Sequence, residues 1–180
     1  MSIMPINFDN LDNKGLKSIV DKYDLFFIDI WGVIHNGVHL FEKSVKCLNE
    51  LDDLGKKYIL LTNAPRPNKT VINFLKNMGL ANNKCEKVFT SGQAALSYLD
   101  EKCKDLKFFH VGPPRDFDLF NSFEKKKVED IKDSDFLLCT GLFENQENDL
   151  NYYKNLFKNE IKKKMICTNP DLIVDRGEKR

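Results

Sequence analysis

Short apolar runs that lack alternation and end in polar residues set the tightest limit on what this chain can fold into. Leu25-Phe26-Phe27-Ile28 is continuous and stops at Asp29, and Tyr58-Ile59-Leu60-Leu61 is continuous and stops at Thr62-Asn63. A strand with one wet face alternates, so an unbroken run of strand length is expected to be buried on both faces, as in a parallel sheet covered by helices. Between the runs lie helical spacings. Val45, Leu48, Leu51 and Leu54 fall along one side of a helix stopped by Gly55. A second helix starts at Asn68, carries Val71, Ile72, Phe74, Leu75 and Met78, and stops at Gly79.

The pattern continues along the chain. Leu16, Ile19 and Val20 mark a short N-terminal helix ending near Tyr23, and Val88-Phe89 leads into Thr90-Ser91-Gly92 and a helix through Ala94, Ala95, Tyr98 and Leu99. Phe108-Phe109-His110-Val111, Phe136-Leu137-Leu138-Cys139 and Met165-Ile166-Cys167 read as strands, and residues 116–123 and 149–161 as helices. Strands alternating with helices predict an α/β fold with mostly parallel sheets. Residues 33–40 differ: Asn36-Gly37 sits between short alternating arms, the signature of a hairpin whose two turn residues take positive φ.

Charge excludes some functions. With 28 basic and 27 acidic residues the net charge is +1, which gives no long-range pull toward nucleic acid or an anionic membrane. The runs Lys125-Lys126-Lys127 and Lys162-Lys163-Lys164 flank predicted strands and read as solvated edges. The five cysteines, Cys47, Cys85, Cys103, Cys139 and Cys167, form no CxxC, and an odd number does not suit a disulfide framework. Cys47, Cys139 and Cys167 lie in apolar contexts and are expected to be small buried hydrophobes. Residues 1–10 carry no basic-then-apolar signal pattern, and no apolar run approaches the roughly 18 residues of a membrane span, so a reducing cytoplasm is the expected location.

Two strand ends carry the chemistry. Asp29 and Thr62-Asn63 would meet at the carboxyl edge of a parallel sheet, where ligands of open α/β sheets bind. A carboxylate beside a hydroxyl and free backbone N–H groups is able to hold a phosphoryl group and a cation. The plain alternative is turn chemistry before a proline-containing loop.

The wider pattern resembles a known family. Phe27-Ile28-Asp29-Ile30-Trp31-Gly32-Val33 with Asn36-Gly37 resembles the first motif of the haloacid-dehalogenase superfamily of phosphohydrolases, and Leu60-Leu61-Thr62-Asn63 resembles the second. Thr90-Ser91-Gly92 and Cys167-Thr168-Asn169-Pro170-Asp171 are similar to landmarks of subclass IIA, the 4-nitrophenylphosphatase-like branch. The resemblance covers nearly the whole chain from Tyr23 onward. It implies a partial Rossmann-like parallel-sheet core over residues 1–89 and an inserted, incomplete α/β cap over 90–180. Asp29 would be the nucleophile that forms an aspartyl-phosphate. Mg²⁺ would sit between Asp29, the substrate phosphate and the main-chain carbonyl of Trp31. Thr62 and the N–H of Asn63 would hold phosphoryl oxygens, the 36–37 hairpin would shield the site, and Asn169 and Asp171 of the cap would help select a small phosphorylated metabolite.

Two departures accompany it. The family's second Asp, a general acid–base, is Trp31 here, and its loss typically costs roughly 10²–10⁴ in rate. The family's later Lys and acidic metal-binding motif are also expected beyond Arg180; Lys179 does not match that Lys in context. The implied picture is a truncated or split product, weak or inactive alone, whose exposed sheet edge awaits a complementing chain or a second copy. The rival readings are a non-catalytic remnant or pseudoenzyme that binds phosphorylated ligands, and a flavodoxin-like binding module. The latter is disfavoured because no Gly-rich or Ser/Thr-rich phosphate loop comes after the first run. His35 and His39 flank a turn rather than a helix, which argues against zinc, and Arg115 and Arg176 are candidates to meet an anionic substrate.

Overall fold

A computed structural model describes residues 11–146 and 149–171. Arg176, Lys179 and residues 1–10 lie outside them. In chain order the elements are α1 (Leu11–Lys14), β1 (Leu25–Asp29), α2 (Glu42–Asp53), β2 (Lys57–Thr62), α3 (Asn68–Asn77), α4 (Asn82–Cys85), β3 (Val88–Thr90) and α5 (Ser91–Lys102), then β4 (Phe108–Val111), β5 (Lys127–Val128), β6 (Phe136–Cys139), α6 (Leu150–Phe157) and β7 (Lys164–Cys167). The strands form two sheets, ordered β1-β2-β3 and β5-β4-β6-β7, and every strand pair in them is parallel. This is the α/β class that the alternation of runs and helices predicts.

The first sheet is built on one face. Tyr58 and Leu60 of β2 and Val88 of β3 meet Leu48 and Leu51 of α2 and Val71 and Leu75 of α3 in one buried cluster, with Phe26 and Ile28 of β1 packed against it. Leu60 and Leu75 are fully buried. Truncating either to Ala costs roughly 2–5 kcal/mol by lost transfer energy and the cavity left behind. Gly55 and Gly79 come just after the ends of α2 and α3, as their positions predict. Behind the sheet, Asp52 accepts from Lys84 at 2.5 Å and Lys87 at 2.7 Å, which ties α2 to α4 and the start of β3.

The second sheet has its own core. Phe108 of β4 stacks on Phe120 at 5.4 Å, and Phe136 and Leu138 of β6 join Leu99 and Cys103 in the same cluster. Because Leu99 lies on α5, the helix that leaves β3 is packed into this second core. Thr90 begins α5 by accepting from the Gln93 N–H, an N-cap that orders its first turn.

Several expectations need correction. β1 is not buried on both faces: its exposure alternates, with Leu25 at 44% and Phe27 at 64%. With Phe89 at 42% they belong to a sheet face only partly covered among the described residues, and β1 is the edge of the sheet. The predicted N-terminal helix breaks into α1 and two 3₁₀ turns, Leu16–Ser18 and Val20–Lys22. Helix 149–161 shortens to α6 with Asp149 as its cap, and the predicted 116–123 helix is a 3₁₀ segment at Pro114–Leu119.

The hairpin at 33–40 is a compact loop, and its strand pairing is reduced to isolated bridges at His35. Its Asn36 does not take positive φ. Instead the Asn36 side-chain oxygen accepts from the N–H groups of Val38 and His39, a local turn that competes with strand pairing. The cysteines also depart from expectation. Cys85 and Cys103 are buried, Cys47 and Cys139 are half-buried, and Cys167 is exposed because β7 is an edge strand.

Candidate active site

Parallel pairing brings the strand ends together. Asp29 is the register partner of Leu61, so Asp29 and Thr62 close neighbouring strands at the same, carboxyl end of the first sheet. Both line one cavity of about 780 Å³, a size suited to a small ligand. Trp31, Asn63, Asn169 and Asp171 line it as well. Two carboxylates, Asp29 and Asp171, face this space, and among the described residues that line it there is no lysine or arginine.

The loop after β2 is held from several sides. The Thr62 hydroxyl accepts from the Ala64 N–H at 3.2 Å, the Ala64 carbonyl accepts from the Ser91 hydroxyl at 3.0 Å and the Gly92 N–H at 3.2 Å, and the Thr90 hydroxyl donates to the Arg66 carbonyl at 2.5 Å. Gly92 presses against the Arg66 backbone so closely that a Cβ there would collide with it. The first turn of α5 therefore serves as a brace for the loop rather than as a free anion site.

Trp31 stands where its neighbours leave room for a flat ring. Its indole lies against Gly37, where an added Cβ would come within 2.5 Å of the ring, and meets His35 edge-on at 5.1 Å. The His35 ring also meets Phe74 at 5.3 Å, and its Nδ1 accepts from the Gly37 N–H at 2.8 Å. Burial pushes the His35 pKa down, opposed by the charge of Asp29. A neutral ring that accepts at Nδ1 carries its proton on Nε2. Thus Trp31 both packs the 31–41 loop and forms a wall of the cavity.

Contacts from the second sheet close the far side. The Asn63 side-chain amide donates to the Asp171 carboxylate at 2.6 Å, and the Asp171 N–H bonds back to the Asn169 side chain at 2.9 Å. Arg66 reaches Asp116 at 3.1 Å and the Arg115 carbonyl at 3.1 Å. Asp116 is 4% exposed, so this pair is more than a surface contact. A smaller space of about 300 Å³ adjoins the first and shares Asn169 and Asp171 with it; Arg66, Arg115 and Thr140 are among its walls. Arg115, expected either to meet an anion or to be solvated, pairs with Glu144 at 3.2 Å on the surface. Arg66 does not stand out in the sequence, although an arginine between two prolines directly after Thr62-Asn63 was the available signal.

The model of a family described as haloacid dehalogenase-like hydrolase matches residues 26–124. The chain belongs to that family. It resembles a curated 4-nitrophenylphosphatase of Schizosaccharomyces pombe, 28% identical over 103 residues, which are 55% of this chain and 34% of that protein. A haloacid dehalogenase-like hydrolase from Brucella suis shares the fold at a TM-score of 0.77 and 30% identity, over 91% of this chain and 62% of that one. A 4-nitrophenylphosphatase from Thermotoga maritima, at 24% identity, shares the fold with a TM-score of 0.63 over 85% and 57% of the two chains. The likeness to a curated 4-nitrophenylphosphatase is in keeping with the expected subclass IIA branch. The chain spans about a third of the curated relative and about three fifths of the solved ones.

Proposed function

We propose that the chain is a phosphate-monoester hydrolase that works through an aspartyl-phosphate, depends on Mg²⁺ and acts slowly on a small phosphorylated metabolite. The observation that carries the reading is the shared cavity of Asp29, Thr62 and Asn63 at the ends of β1 and β2. Two carboxylates with no basic side chain among the described lining residues repel a phosphate unless a cation comes with it. Among the described residues no three His, Cys, Asp or Glu side chains converge as a cage. The Asp29 carboxylate and Trp31 carbonyl are hard oxygen donors of the kind Mg²⁺ uses when waters and substrate phosphate complete its shell. Bound there, Mg²⁺ would offset the phosphate charge and polarise a phosphoryl oxygen.

The residues then have separate tasks. An Asp29 oxygen attacks phosphorus, and the bond from phosphorus to the alcohol oxygen breaks. Thr62 and the Asn63 N–H donate to the phosphoryl oxygens as charge develops on them. Trp31 offers no acidic group, so the departing alkoxide takes its proton from water or from the substrate itself. Water then attacks the phosphorus, releases inorganic phosphate and restores the Asp29 carboxylate. The 31–41 loop, braced by the Trp31 ring on Gly37, limits water at the other moments of the cycle.

The reading extends to organisation. We place the division between core and cap near residue 90, and propose a complementing chain as the partner of the β1 edge and the face of Leu25 and Phe27. A reducing cytoplasmic setting suits the free cysteines, and no described helix is long and apolar enough to cross a membrane. A second reading, phosphate binding without turnover, is favoured by Trp31 alone. Both are tested by assaying the chain with 4-nitrophenyl phosphate and Mg²⁺, with chelator, and as Asp29→Asn. The hydrolase reading expects a slow rate that chelator and the variant each abolish. Equal rates in all three samples would sink it, and a phosphate-induced rise in melting temperature without turnover would leave the binding reading.

A further inference from the structure

Two thiols face each other at the open end of the cap sheet. β6 ends at Cys139 and β7 ends at Cys167, and these residues are register partners. Side chains alternate along strands, so register partners on neighbouring parallel strands point to the same face. Here that face also carries the partners Leu137 and Met165. Adjacent strands lie roughly 4.8 Å apart, within the Cα separations of about 4.4–6.8 Å that disulfides span. Burial and the adjoining Cys167 thiol push the Cys139 thiol up to about 11, a sign of how close the two groups are. Cys139 is half-buried and donates to the Gly141 carbonyl at 3.5 Å, whereas Cys167 is exposed on the edge strand. One thiol is reachable by an oxidant and the other waits beneath it.

The segment just beyond Cys167 gives the pair a consequence. The Thr168 N–H and hydroxyl both donate to the Cys139 carbonyl, at 2.8 and 3.2 Å. Asn169 and Asp171, next along the chain, line the active-site cavity, and Asp171 is held by Asn63 of the core. The end of β7 is thus an edge-strand terminus on which part of the site wall depends, and these hydrogen bonds secure it.

We propose that Cys139 and Cys167 form a reversible disulfide, a redox modification site that clamps the cap segment over the cavity. With a peroxide as oxidant, the exposed Cys167 sulfur attacks a peroxide oxygen, becoming a sulfenic acid as the O–O bond breaks and water leaves. The Cys139 sulfur then displaces hydroxide from the Cys167 sulfenic sulfur; the thiol proton joins that hydroxide as a second water, and the S–S bond forms. Two thiols are oxidised by two electrons in total and one hydrogen peroxide is reduced to two waters. A small dithiol reverses the change. Such switchable disulfides are the kind that reducing compartments tolerate. The covalent step stands on geometry alone, while its effect on a substrate rests on the hydrolase reading.

The test uses the full chain with stoichiometric hydrogen peroxide, then mass spectrometry without reductant. The expected result is a loss of about 2 Da, two fewer titratable thiols, and a peptide pair linking Cys139 to Cys167. The melting temperature should rise on the order of 5–10 °C and fall back with dithiothreitol, because the link closes the long loop between β6 and β7. Cys167→Ser, at an exposed position, should keep the fold and abolish the mass loss. Oxygen adducts on Cys167 without the link, or links through Cys47, Cys85 or Cys103, would overturn the proposal. An unchanged or lower melting temperature in the linked protein would overturn the clamp. None of these readouts depends on turnover, so they fail or hold separately from the phosphatase reading.

Discussion

Acid should destabilise this protein through one histidine in the cap. His110 sits in β4 at 6% exposure, with its ring 4.3 Å from that of Phe120 and its Nε2 2.8 Å from the Thr140 hydroxyl. Burial, helped by the charge of Lys127, brings its pKa from 6.5 to about 4. An unfolded imidazole takes up its proton near pH 6.5 and the folded one only near 4. Between those values the unfolded state binds more protons, so stability present at neutral pH is lost as pH falls through this window. At 1.36 kcal/mol per pH unit the full gap is worth about 3 kcal/mol, most of which is lost between pH 7 and 4.5. That is a large part of a typical 5–15 kcal/mol total.

The measurement is urea unfolding of the parent and of His110→Gln at several pH values from 7 to 4.5. Glutamine still bonds to Thr140 and never becomes charged. His35, also lowered by burial, titrates in the same direction in both proteins and drops out of the difference. Asp52, whose carboxyl is held below its ordinary value of 3.8 by Lys84 and Lys87 against its own burial, acts below this window. The parent should therefore lose about 2 kcal/mol more than the variant across the range. Parallel pH profiles for the two proteins would show that the His110 ring is not excluded from its proton in the folded state, and the reasoning would fall.

Three further outcomes can be measured. Trp31→Asp returns a carboxylic acid to the site, and under the hydrolase reading it should raise turnover of 4-nitrophenyl phosphate roughly 10²-fold, while the binding reading expects no change. Arg66→Ala leaves the buried Asp116 without that charge partner and should cost about 2–3 kcal/mol in urea unfolding, less than a fully buried pair because the Arg66 side chain is 30% exposed. Phe27→Glu places a charge on the face that the described residues only partly cover, and sedimentation velocity should show less self-association than in the parent.

The legible part of the fold was whatever depends on local spacing. Apolar runs ending in Asp29 and Thr62 located β1 and β2, and parallel pairing then had little freedom in bringing those ends together. What a run cannot reveal is which neighbour covers it. Leu25-Phe26-Phe27-Ile28 reads as buried on both faces, yet β1 is an edge and Phe27 is largely exposed. Asn36-Gly37 misled for a different reason: the hairpin signal assumes that the backbone makes the turn, whereas the Asn36 side chain makes it here. The cysteines were misjudged because apolar neighbours in sequence say nothing about position in the sheet, and Cys167 closes an edge strand. Arg66 offers only a local hint between its two prolines, because its partner Asp116 lies 50 residues further along the chain.

That last contact ties the loop beside the cavity to the chain that follows the first strand of the second sheet. The loop after β2 turns Thr62 toward the cavity, sends the Asn63 side chain to Asp171 and carries Arg66 to Asp116. One short segment therefore contacts the site and two separate parts of the cap. Its backbone has little freedom to yield, since Ser91 and Gly92 fix the Ala64 carbonyl and Thr90 fixes that of Arg66. In a rigid loop, a displacement of Thr62 by a ligand is passed to Asn63 and Arg66 rather than absorbed. The two carboxylates add a second link: Asp29 and Asp171 line one cavity, so a cation that screens one also lowers its repulsion of the other. Under the hydrolase reading, a divalent cation with phosphate should therefore protect β7 and the 168–171 segment from hydrogen exchange more than either does alone.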